Sequence, residues 1–225
     1  MGTSRPRHIH HLDPETLERL NEATARVAPR VESLLGTEVI AERLADPANL
    51  PGDGNAWLAP WREARRRFET RCAELSQGAV LVRTDVRDCY GSIKPGLVGS
   101  SLMAWDCDHS DARTLVTILE SLQRRGVRGL PVGPAASSVL ANAVLLRADR
   151  SMGDFPWLRW VDDFLLFLPD RKTALRALDR LADALGQIGL SLAPEKTTIG
   201  TWSGQLSGAG DRQRTREPFT AALTG

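Results

Sequence analysis

Two adjacent aspartates, Asp162 and Asp163, stand in the middle of the most hydrophobic stretch of this 225-residue chain, between WLRWV and FLLFL. The two apolar arms read as a β-hairpin meeting at the acidic pair. Carboxylates in such surroundings cost several kcal/mol per ion unless each finds a cation or hydrogen-bond donors. A plain turn needs no such expense, since Asn-Gly or Asp-Gly forms one without an electrostatic penalty, and Val161 and Phe164 are poor turn residues. A third aspartate, Asp85, ends the short β-branched strand AVLVRTDV. One reading is a solvated acidic turn with Asp85 as a helix or loop cap. The other is a divalent cation held by oxygen ligands, since magnesium takes one or two carboxylates together with substrate phosphates. Carboxylates from different strands can hold two such ions ~4 Å apart, clamping the attacking and leaving oxygens of an in-line phosphoryl transfer.

The chain around these residues alternates strand, helices, hairpin, helix and strand, which points to an α+β fold with an antiparallel sheet backed by helices on one face. Residues 14–46 read as helical from a capped start at Asp13-Pro14, with Pro29 interrupting the pattern. A loop rich in proline and glycine follows at 46–60, then an Arg-rich helix, WREARRRFETRCAEL. Ser110 opens an amphipathic helix closed by Gly126. GLPVGP is a turn-rich loop feeding the small-residue helix AASSVLANAVLLRADR, and KTALRALDRLADALGQIG is a further periodic helix. The last 25 residues lack a packed pattern and read as tail. With 29 basic and 28 acidic residues the net charge is +1, so attraction to a polyanion has to come from local patches. Candidate patches are Arg62, Arg65, Arg66, Arg67 and Arg71, and also Arg124, Arg125 and Arg128. Each is equally readable as solvated surface. Three cysteines without C-x-x-C spacing exclude a disulfide framework. No apolar run approaches a membrane span and the N-terminus has no apolar core, so no membrane is expected and the expected location is the cytoplasm. His8, His10 and His11 read as a flexible terminal stretch rather than a metal site.

Four segments in order resemble the palm of reverse transcriptases. DVRDCYGSI resembles motif A, GLPVGPAASSVLAN motif B, WVDDF motif C and LAPEKT motif D, together spanning residues 79–200. In motif C, Trp160 stands where tyrosine or phenylalanine is commoner. In motif B, Val132 stands where many members carry glutamine, and the G-L-P-x-G-P-x-x-S form is closer to the reverse transcriptases of bacterial abortive-infection and phage-defence systems.

The resemblance implies a right-hand polymerase palm with abbreviated helical fingers and no thumb. The implied division is an N-terminal helical region or partial fingers over 1–60, a palm with finger helices over 61–200, and a flexible tail over 201–225. It implies a catalytic set of Asp85, Asp162, Asp163 and Lys196, with Asp85, Asp162, Asp163 and the Val86 carbonyl holding two Mg2+ ions (Mn2+ a possible substitute). Tyr90 is implied as a gate under the incoming sugar, with Val86, Asp88, Arg65 and Arg66 also at the nucleotide. Gly133, Pro134, Ser137 and Arg128 are implied at template and primer, and Lys196 near the leaving pyrophosphate. For Tyr90, Lys196, Ser137 and Gly133 the alternatives are an ordinary core tyrosine, a solvated lysine, and plain cap and turn chemistry. The implied partners are RNA and DNA as template and primer and dNTPs, with a companion protein or RNA in place of the thumb. Two other functional readings stand beside an RNA-directed DNA polymerase. One is an untemplated or protein-primed polymerase; the other is a non-catalytic palm that binds nucleic acid or a partner. A nucleotide cyclase would give no place to the GLPVGP loop or Tyr90.

Overall fold

The computed structural model describes residues 9–52, 54 and 56–201. Its elements are α1 (Pro14–Leu34), α2 (Trp61–Leu75), β1 (Val80–Asp85), α3 (Cys89–Ser92), α4 (Pro95–Ala104), α5 (His109–Arg124), α6 (Ala135–Ser151), β2 (Trp157–Trp160), β3 (Asp163–Leu168), α7 (Arg171–Gln187) and β4 (Thr198–Thr201). A short 3-10 turn, Pro194–Lys196, precedes β4. The strands form one antiparallel sheet in the order β2-β3-β1-β4.

β1 and β3 are apolar on both faces because both faces are covered. On one side Val82, Phe164, Leu166 and Leu168 pack into the main core with α6 and α7. On the other, Leu81, Leu165 and Phe167 meet Ala64, Phe68 and Cys72 of α2, and the Phe68 ring lies 5.2 Å from that of Trp160. The single-faced cover expected from the sequence is thus completed by α2, whose Arg-rich outer face hides a narrow apolar stripe. α6 is buried almost all round, between α1, α4 and α7. Its Ala and Ser residues let the neighbours approach closely. α1 joins the same core through Leu20, Val27 and Val31, so residues 14–60 are not a separate unit from the sheet.

Several local expectations are corrected. α1 runs through Pro29 to Leu34: the lost hydrogen bond is outweighed by a buried stripe from Leu20 to Val31. Residues 35–46 are not helical. Arg159 N–H donates to the Glu38 carbonyl (2.9 Å) and Ile40 N–H donates to that of Arg159 (3.0 Å), so this segment covers the outer edge of β2. α5 begins at His109 with Asp108 as its cap, one residue before the expected start. α4 was hidden by its two glycines and two serines, poor helix formers that packing against α5 and α6 overrides. The hairpin turns at Val161-Asp162 rather than Asp162-Asp163, because Trp160 pairs with Asp163 and the latter opens β3. His10 is docked rather than loose: its backbone N–H donates to the Val132 carbonyl and its Nδ1 accepts from the Val132 N–H (3.1 Å). His8 and the expected tail over 202–225 lie outside the described residues. Among the described residues no helix is long and apolar enough to cross a membrane.

One buried ion pair ties the hairpin to α6. Arg159, fully buried on β2, donates twice to Asp149 (2.7 and 2.8 Å), once to the Asn142 amide oxygen (2.9 Å) and once to the Val161 carbonyl (2.7 Å). Removing one member of such a pair strands the other, whereas replacing both with apolar groups does not. Arg159→Met is expected to cost about 3–5 kcal/mol in urea denaturation, with Asp149→Leu in the same chain recovering most of the loss.

Candidate active site

Asp85, Asp162 and Asp163 converge at the end of the sheet from three positions: the last residue of β1, the turn and the first residue of β3. Asp85 lies directly across the ladder from Asp163. The three carboxylates each present an oxygen within 4.8 Å of the others, and the residues are only 3%, 4% and 7% exposed. Like charges directly opposite each other on adjacent strands repel. The repulsion shows at Asp85, whose carboxyl is pushed up to about 6 by burial first and by the charge of Asp163 next. Lys196 pulls the other way through a 2.8 Å hydrogen bond from its Nζ to Asp85 Oδ1.

The backbone explains how these groups are brought together. Val161 occupies the left-handed region at φ +58, a costly conformation for a β-branched residue. It is held there by the Arg159 guanidinium on its carbonyl, while the Val86 N–H on β1 takes the Asp162 carbonyl at 3.0 Å. The segment before β4 pairs with the end of β1: Ala193 N–H donates to the Asp85 carbonyl (2.8 Å) and Arg87 N–H to that of Ser191 (2.8 Å). That pairing delivers Lys196 to Asp85. The spacing of LAPEKT was legible in the sequence, but this partner was not.

The other expected residues are distributed unevenly. Val86 and Tyr90 lie beside the carboxylates on the continuation of β1. Tyr90 is only 9% exposed, and its hydroxyl donates to Glu42 Oε2 (2.9 Å) and lies 3.2 Å from the Ser138 hydroxyl. Asp88 takes a left-handed φ of +42 and is ion-paired with Arg128 on the surface. Arg65 pairs with Glu69 one helical turn on and lies over the Trp61 ring, and Arg66 is exposed on the same helix. Gly133 is exposed at φ +127 and leads through Pro134 into α6. Ser137 is fully buried there, and its hydroxyl has no hydrogen-bond partner among the described residues.

Three features escaped the sequence reading. Glu42 lines a cleft beside Asp162 and Asp163, with Trp61 and Trp160; within AERL it carries no pattern to mark it. Gly129 sits at φ +68 with the Tyr90 carbonyl where a Cβ would be, which locks the GLPVGP loop to motif A. The Arg159 network had a visible signal: a charged residue inside an apolar strand arm needs a buried partner.

A cluster of three buried carboxylates offering oxygen donors suits hard divalent cations, which are oxygen-seeking and would relieve the repulsion. Asp85, Asp162 and Asp163 are the residues that would hold them. The shift at Asp85 also fixes a pH dependence. Its folded value of about 6 lies above the ordinary 3.8, so the fold prefers the protonated form. That contribution to stability is fully present below the unfolded value and is lost as pH rises through about 6. In metal-free buffer, wild-type melting temperature is expected to fall across that window more than that of Asp85→Asn. Parallel profiles would contradict the assignment.

The model of a sequence family described as reverse transcriptase (RNA-dependent DNA polymerase) matches residues 38–216. That match extends the resemblance upstream over the segment that carries Glu42. The retron Mx65 reverse transcriptase of Myxococcus xanthus is 29% identical over 154 residues, covering 60% of this chain and 36% of that protein, so this chain spans little more than a third of the relative's length. Among solved structures, telomerase from Candida albicans in complex with a fragment of telomeric RNA is 16% identical over 64% of this chain and 31% of that one, at a TM-score of 0.43. Apo telomerase from Candida tropicalis is 11% identical over 82% of this chain and 35% of that one, at 0.44.

Proposed function

This chain belongs to the reverse transcriptase family, and on that premise we propose that it is the catalytic palm of an RNA-directed DNA polymerase, adding dNTPs to a primer 3′-hydroxyl on an RNA template. The observation that carries the reading is the meeting of Asp85, Asp162 and Asp163 within 4.8 Å at a buried sheet end. An idle scaffold has no use for three carboxylates in one apolar environment, each costly without a cation.

Two Mg2+ ions at these carboxylates would supply charge neutralisation and Lewis-acid polarisation of the reacting phosphate. The chain's own work is positioning. The β1–β3 register holds Asp85 and Asp163 face to face, and the turn fixed by Arg159 sets Asp162 beside them. Val86 offers its carbonyl from the strand end as a further oxygen. Lys196 occupies Asp85 in the metal-free chain and is released toward the leaving pyrophosphate when cations take the carboxylate. Asp88 and Arg128 form an exposed ion pair at the mouth of motif A, and with Gly133, Pro134 and Ser137 they border the surface assigned to nucleotide, template and primer. Arg65 and Arg66 on α2 are the candidate triphosphate contacts, since guanidinium groups match phosphate geometry in pairs.

The test is dTTP incorporation on poly(rA)·oligo(dT) with Mg2+, compared with Asp162→Asn. Wild type is expected to extend the primer only when template is present, and the variant to lose at least about a hundredfold in rate, the scale on which single electrostatic groups act in such sites. Incorporation that survives template removal would favour the untemplated reading. Absence of incorporation, with nucleic-acid binding unchanged in the variant, would favour a binding module.

A further inference from the structure

Glu42 has a geometry that no structural role requires. It lies outside regular secondary structure at φ +56, where a glutamate is strained. Its backbone carbonyl accepts from the Asn142 side-chain amide (3.1 Å), and Asn142 in turn accepts from Arg159, the residue that fixes the Val161 turn. Its carboxylate accepts from the Tyr90 hydroxyl (2.9 Å). Backbone and side chain are therefore pinned separately, one by α6 and one by motif A. Strain maintained by independent anchors points to function rather than to packing. The residue so pinned lines the cleft that contains Asp162 and Asp163, together with Trp61 and Trp160.

Tyr90 stands behind this carboxylate. It is 9% exposed, and among the described residues the cleft wall beside the aspartates is lined by Glu42 and not by Tyr90. Burial and the charge of Glu42 both push the phenol up, so its proton stays on the oxygen and remains available to the carboxylate. Ser138 sits on the far side of the same hydroxyl at 3.2 Å and limits its rotation.

We propose that Glu42 is the residue that selects the sugar of the incoming nucleotide, its latched carboxylate forming a wall that admits a deoxyribose and excludes a 2′-hydroxyl, with Tyr90 as the positioning residue that holds it. This rests on the polymerase reading above. A free glutamate has three rotatable bonds and would swing aside for an extra oxygen. A glutamate anchored at both ends yields only by breaking the Tyr90 hydrogen bond. The carboxylate is also acceptor-only at neutral pH, so it offers no donor to a 2′-oxygen. An aromatic ring acting alone as the wall makes a different prediction, because it needs no hydroxyl.

The experiment compares dATP with ATP on full-length wild type, Glu42→Ala, Glu42→Gln, Tyr90→Phe and Tyr90→Ala. Binding is read from tryptophan fluorescence, since Trp61 and Trp160 line the cleft, and incorporation from primer extension. Melting curves confirm that each variant is folded. Wild type is expected to prefer dATP, and Glu42→Ala to lower that preference by ~10-fold or more, within the range that small steric differences produce. Tyr90→Phe keeps the ring and loses the latch, so it is expected to lower the preference in the same direction. Glu42→Gln keeps an acceptor for the hydroxyl and is expected to retain the preference. Unchanged selectivity in Glu42→Ala and Tyr90→Phe, with loss only in Tyr90→Ala, overturns the proposal and returns the wall to the ring. A wild type that binds ATP as tightly as dATP also overturns it, whatever its polymerase activity. Should Glu42→Ala fail to fold, Tyr90→Phe decides the question from the other side of the hydrogen bond. Preference for dATP without any incorporation in wild type leaves the selectivity result standing and removes the polymerase reading instead.

Discussion

Repulsion between carboxylates at the end of a buried sheet is the constraint around which this molecule is arranged. Asp85 and Asp163 face each other across one ladder, with Asp162 in the adjoining turn. Burial raises the cost of keeping such charges and lowers the screening between them. Lys196 offsets part of that cost at Asp85. The sheet that presents the carboxylates is covered by α6 and α7 on one face and by α2 on the other, and the segment through Glu38 and Ile40 covers its β2 edge. A well-braced frame is what can keep three mutually repelling groups in place without relaxing.

The bracing runs through a second, neutral network on the far side of the turn. Arg159 and Asp149 compensate each other in full burial, and Arg159 spends its remaining donors on Asn142 and the Val161 carbonyl. Asn142 then holds Glu42. Three of the non-glycine residues at positive φ, Glu42, Asp88 and Val161, lie around the carboxylates or in the segments that carry them. Local strain concentrated beside a charged cluster is the pattern expected when geometry matters more than local comfort. Gly129 belongs to the same design, since any side chain there would strike the Tyr90 carbonyl and push the motif B loop off motif A.

What the sequence disclosed followed physical periodicity and charge. The Asp85 strand, the acidic hairpin, and the α5, α6 and α7 helices were legible because alternation and helical spacing act over short windows. The three carboxylates were legible as a set because acid in an apolar run is anomalous wherever it occurs. The turn was misplaced by one residue because only the register of β2 on β3 decides between Val161-Asp162 and Asp162-Asp163. Residues 35–46 carry helix-like spacing yet run irregularly, as their backbone groups serve the edge of β2. Glu42 was invisible for the same reason. Its importance comes from long-range partners at Tyr90 and Asn142, and nothing in its neighbours along the chain encodes them.

Everything in this arrangement depends on the carboxylates binding divalent cations together. Electron paramagnetic resonance of Mn2+ titrated into the metal-free protein with dATP counts bound ions directly, without any need for turnover. Wild type is expected to take up Mn2+ that Mg2+ displaces, and Asp85→Asn and Asp162→Asn each to lose that uptake while remaining folded. Wild type that leaves Mn2+ free in solution, or variants that bind it as well as wild type does, would contradict a shared cation site.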